Sequence, residues 1–175
     1  NNEKMQSAFD LGRLLALQKT FDLVNFGNAG KEPYLSWVKE HEEAKRIFLD
    51  EISGQWLVSA KDYWTLADGY KGRKGEDEIS WYAANAQLGG ECEGDIDCNL
   101  RREKITQGEY LRRQPYGRYA ASSLKRLSET LDYIQQTLEK EPNYFREFPD
   151  GRAEIDELLD IVANSNPKLT ERAKA

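Results

Sequence analysis

Two cysteines in an acidic loop form the most chemically suggestive spacing in this sequence. Cys92 and Cys98 are the only cysteines, and they bracket Glu93-Gly94-Asp95-Ile96-Asp97. Their closeness around a glycine predicts a disulfide. Closing so short a loop contributes roughly 2.4 kcal/mol by chain entropy before any strain. A bridge of this kind persists in oxidising compartments, so the expected location is periplasmic or secreted. Glu91, Glu93, Asp95 and Asp97 alternate along the loop. Alternating oxygens beside a glycine can face a Ca²⁺ ion, as in an EF-hand. The order departs from that motif and lacks its closing bidentate Glu. A solvated acidic turn tied by the disulfide is the expected state. No metal and no cofactor are expected.

The other residues capable of chemistry are scattered. His41 is the single histidine. It lies on the apolar stripe of an expected helix, where a packed or capped ring is the usual outcome. A hydrolase elbow of the Gly-x-Ser-x-Gly type does not accompany it. One His with two Cys falls short of a zinc ligand set. Gly69 to Gly75 holds glycines and lysines but lacks the Gly-Lys-Ser/Thr ending that holds phosphate and Mg²⁺. The expectation is a protein without enzymatic activity.

Those residues must be positioned by a framework, and its composition is that of a folded chain. The 175 residues favour one domain, taken as 1–175, and allow two small ones. Charged residues reach 32%, but four Trp, nine Tyr and six Phe are too many rings for a disordered polymer. The net charge of −6 repels phosphate backbones, so nucleic acid is not an expected partner. No apolar run reaches the length of a transmembrane helix. The sequence opens Asn1-Asn2-Glu3, which fits a product whose export signal or anchoring N-terminal segment has been removed.

Helical periodicity dominates. The first helix is expected over 3–26, with apolar residues on so many sides that burial on more than one face is predicted. Gly27-Asn28-Ala29-Gly30 ends it. Pro33 suits the first turn of a second helix, in which Val38, His41, Ala44 or Lys45, and Phe48 recur at helical spacing. Further helices are expected over 55–70, 76–88, 98–113, 120–138 and 151–164. The clearest is 120–138, where Ala120, Leu124, Leu127, Leu131, Ile134 and Leu138 form one straight seam. Ile155, Leu158, Leu159 and Val162 share a face of the last helix. Pro142 and Asn166-Pro167 read as stop signals. No period-2 pattern persists, so no sheet is expected. The reading is all-α, with antiparallel helix hairpins stacked as a short solenoid or bundle of about six to seven helices.

Tyr63, Leu66, Ala67 and Tyr70 follow at spacings of 3, 1 and 3. This resembles the first-helix signature of tetratricopeptide repeats, and Ala83, Ala84 and Ala86 supply small residues where that family packs its second helix. Glu109 to Ala120 is similar to the join between repeats in periplasmic tetratricopeptide lipoproteins, where a Pro-containing turn precedes an aromatic-Ala pair. The resemblance covers about 55–138. Ile79 stands where the family has Ala, and the cysteine loop is an insertion. It implies a helical-repeat scaffold that holds another protein.

Residues 99–128 carry a local net charge of +6 between acidic flanks. Aromatic and arginine side chains are enriched at binding hot spots. The candidate contact residues are therefore Trp64, Tyr70, Trp81, Tyr82, Tyr110, Arg112, Arg113, Tyr116 and Arg118. Core packing is the competing role for each ring. The leading expectation is an interaction scaffold of the cell envelope, whose partner is another envelope protein or peptide. The alternative is a small acidic inhibitor or immunity-type protein that neutralises a basic effector. A groove with aromatics and arginines distinguishes the first, and a convex acidic face the second.

Overall fold

A computed structural model describes residues 2–25, 27–141, 143–144 and 150–165. The stop signals at Pro142 and Asn166-Pro167 lie outside the described residues. The described residues are mostly helical, with one two-stranded sheet among them. It divides into two compact units, 1–91 and 92–175.

In the first unit, helix α1 (Asn2–Phe21) and helix α2 (Tyr34–Glu43) precede a hairpin of strands β1 (Ile47–Asp50) and β2 (Gln55–Val58). Helices α3 (Ala60–Gly69) and α4 (Glu76–Ala84) follow and pack on each other. The hairpin corrects the sheet-free expectation. Lys45 adopts a left-handed backbone (φ 54°), which stops α2 short of Phe48. Asp50 then organises the turn, its carboxylate accepting hydrogen bonds from the Ser53 backbone N–H (3.2 Å) and hydroxyl (2.5 Å). Residues 55–58, expected as helix, pair antiparallel with β1, Val58 opposite Ile47 and Trp56 opposite Leu49. A three-residue apolar run has no legible period, because it can be buried as strand or as helix. Helix α3 starts only after this, capped by the Ser59 side chain, which accepts from the Lys61 N–H at 3.3 Å.

Helix α1 also departs from expectation. It buries one stripe, Ser7, Leu11, Leu14 and Phe21, and leaves Met5 and Phe9 exposed. The core is aromatic: Phe21 stacks on Trp37 at 4.7 Å, and the edge of His41 meets Phe21 at 5.2 Å. Gly75 (φ 101°) brings the start of α4 against α1. A Cβ there would stand 2.2 Å from Ser7 Oγ, so only glycine fits.

In the second unit, Asp95 caps helix α5 (Ile96–Glu103), its carboxylate accepting from the Cys98 N–H at 2.7 Å. The helical run continues through a π-helical turn (Lys104–Gly108) into helix α6 (Glu109–Arg113), within the helix expected over 98–113. Helix α7 (Ala120–Lys140) and helix α8 (Asp150–Asn164) follow. Helix α8 packs on α5, α6 and the π-helical turn. Gly108 allows that approach, since a Cβ would lie 3.1 Å from Leu158 Cδ2. The core is aliphatic, with Leu100, Leu111, Leu127, Ile134 and Leu158 almost fully buried. It also holds a polar bond, Ser123 Oγ donating to Gln107 Oε1 at 2.8 Å.

Candidate functional site

The turn between α6 and α7 gathers five of the nine expected contact residues. Helix α6 ends at Arg113 because Pro115 cannot continue it, and residues 114–119 turn the chain into α7. Tyr110 is fully buried, and its hydroxyl accepts the Tyr119 N–H at 3.2 Å. This bond ties the two ends of the turn together, so Tyr110 is a positioning side chain rather than a contact surface. Glu109 holds both neighbouring arginines. Its carboxylate accepts two bonds from the Arg112 guanidinium, and Arg113 Nε donates to it as well. The sequence leaves open whether these arginines pair with the acids of 76–97. The structure gives them an acid one turn away in their own helix.

Tyr116 and Arg118 are the outward members. Tyr116 is 75% exposed, and Arg118 is exposed with its guanidinium 5.5 Å above the Tyr119 ring. Arg112 also faces solvent. The turn therefore presents one ring and the Arg118 guanidinium from a backbone that is internally braced, with the Arg112 guanidinium beside them held by Glu109. Such a surface forks onto carboxylates and stacks on planar groups.

The other four residues belong to the first unit. Tyr70 is buried, and its hydroxyl donates to Asp10 at 2.6 Å. That bond holds the Asp10 carboxyl below its ordinary range. Trp64 packs on the core and Trp81 is half-buried. Tyr82 is 38% exposed and lines a hollow of about 510 Å³ with Gln18, Tyr63 and Asn85. Burial pushes the Tyr63 phenol up to about 12. Gln18 bridges the outer edge of β2, accepting from Val58 N–H at 2.8 Å and donating to Trp56 O at 3.1 Å. The amide thereby occupies backbone groups that another strand would otherwise pair with.

No protein-family model, curated protein or solved structure matches this chain.

The acidic loop resolves into separate roles. Cys92 and Cys98 are joined, with Cα atoms 5.5 Å apart, inside the usual span for a bridge. Asp95 is a helix cap, Asp97 is buried, and Glu91 and Glu93 are exposed. Among the described residues, no three His, Cys, Asp or Glu side chains cluster to hold a metal ion. His41 Nδ1 lies 2.9 Å from the Trp37 carbonyl inside the aromatic cluster, as a packed ring does.

A further concavity in the second unit lies away from the expected contact residues. Leu131, Ile134 and Leu138 of α7 and Ile155, Leu159 and Val162 of α8 line an open groove of about 710 Å³. The periodicity names all six as apolar stripe residues, which read as core.

Proposed function

We propose that this chain is a non-catalytic protein-interaction module of the cell envelope, of helical-repeat type, that holds an acidic segment of another protein. The observation that carries this reading is the 114–119 turn, where Tyr116 and Arg118 stand exposed beside Arg112 on a braced backbone. Exposed rings and guanidinium groups are enriched at protein contacts, and a local charge of +6 over 99–128 would draw an acidic partner. The Cys92–Cys98 pair fits an oxidising compartment. Among the described residues, no helix is long and apolar enough to cross a membrane.

The test is capture from native extract with the double variant Tyr116→Ala, Arg118→Ala beside the wild type. Loss of the specifically captured species is expected, by about tenfold or more, with the melting temperature almost unchanged. Exposed charged groups contribute only about 0–1 kcal/mol each to stability. A parallel variant, Arg112→Ala with Arg113→Ala, separates the bracing role. If it clearly destabilises the protein and binding persists in both variants, the turn is structural and the reading fails.

A further inference from the structure

We propose that the α7/α8 groove is a second docking site, for a cationic amphipathic helix. This goes beyond the reading above. It lies on the C-terminal half of α7, about 20 Å along the helix from the 114–119 turn, and has the opposite charge.

The floor of the groove is Leu131, Ile134 and Leu138 facing Ile155, Leu159 and Val162. Leu131 and Leu138 are half-buried, and Leu159 is 50% exposed. On the same α7 seam, Ala120, Leu124 and Leu127 are at most 2% exposed. Helix α5, the π-helical turn and α6 pack against α7. Among the described residues, Ile134 is still buried further along the seam, while Leu131 and Leu138 on either side of it are half-open. Five partly exposed aliphatic side chains over a floor closed by Ile134 suit the stripe of an amphipathic helix, which presents apolar residues at i, i+3, i+4 and i+7.

Charge selects among occupants. Asp132 and Glu139 line the α7 rim, both exposed and two helical turns apart, or about 10 Å. No basic side chain lines the groove among the described residues. Residues 129–160 carry a net charge of −7. Two copies meeting through this face would set acid against acid, which opposes a symmetric dimer. A helix with Lys or Arg flanking its apolar stripe, spaced seven residues apart, meets both rim carboxylates.

The experiment uses the full chain and three labelled synthetic peptides of about 18 residues. The first has a Leu stripe flanked by Lys. The second has the same composition with the stripe scrambled. The third has Glu in place of every Lys. Fluorescence anisotropy should give micromolar binding for the first and at least about tenfold weaker binding for the other two. Leu159→Asp should abolish binding of the first peptide, with the circular dichroism spectrum checking the fold. The exposed pair Asp132→Lys, Glu139→Lys should reverse the preference toward the Glu peptide. Equal binding of all three peptides, or of none, overturns the proposal. A concentration-dependent dimer in sedimentation that Leu159→Asp dissociates assigns the groove to a second copy and overturns it too. Binding seen only after deletion of 166–175 assigns the groove to the chain's own end, and the proposal fails in that case as well.

Discussion

The two units complete their cores in different ways. In the first, rings close the interior. Phe21, Trp37 and His41 meet face and edge, and the β1–β2 hairpin adds Trp56 and Val58. In the second, aliphatic side chains on successive helices meet in rows, and the rows end unevenly. Leu127 is fully enclosed, while Leu131, one turn further on, opens into the groove. A ring cluster is closed by shape, because a few large side chains fill space from several directions. A heptad seam is closed only where a second helix lies along it. The same seam is therefore core at Leu127 and Ile134 and half-open at Leu131 and Leu138.

The largest effects should come from breaking each closed core. Phe21→Ala should destabilise the first unit by about 3–5 kcal/mol, as truncation of a buried ring does. In the second, Leu127→Ala should cost about 2–5 kcal/mol, but Leu131→Ala less than about 1.5 kcal/mol, because part of that side chain already meets water. Urea unfolding of the three variants measures this. Equal losses at 127 and 131 would mean that the groove is closed in solution.

Next in size is the disulfide. Free-thiol labelling of the unreduced, unfolded protein should find none. Replacing both cysteines by serine should cost about 2 kcal/mol, the chain-entropy value for so short a loop. Two labelled thiols in protein from its native compartment would remove the bond and the extracytoplasmic reading together.

The smallest effect concerns the polar interior of the second unit. Glu103 accepts the Thr130 hydroxyl at 3.0 Å, and its other oxygen is buried without a hydrogen-bond partner. Burial raises the Glu103 carboxyl above its ordinary value, more than Thr130 and Arg126 lower it. The folded state therefore binds this proton more tightly than the unfolded chain does. The associated stability is full at low pH and is lost as pH rises through the raised value. Glu103→Gln should melt slightly higher than wild type at pH 7, and this gap should shrink as pH falls toward 4. A gap independent of pH would show that Glu103 ionises as it would in water.

Much of the helical framework is legible because periodicity and punctuation agree. The seam from Ala120 to Leu138 and the Ile155-Leu158-Leu159-Val162 face both fall on helices. Pro115 marks a true break, and the glycine at 75 a true turn. Ile47-Phe48-Leu49 and Trp56-Leu57-Val58 escape that logic because three-residue runs lack a period. Trp56 and Val58 carry a signal in their strand-favouring side chains, and Gly54 supplies the turn. The contact residues are mixed: Tyr116 and Arg118 stand out, whereas Tyr110 and Tyr70 are held inside by their hydroxyl bonds.

By itself, the sequence determined the helical character, the cysteine pairing, the acidic balance and the lines of apolar residues along each helix. All of these follow from residue type and spacing over a few turns. Only the tertiary structure decided which residues of the α7 seam are covered and that Gln18 caps the edge of β2. Those outcomes depend on which segments meet across tens of residues. Periodicity records which face of a helix is apolar, but not whether another helix arrives to cover it.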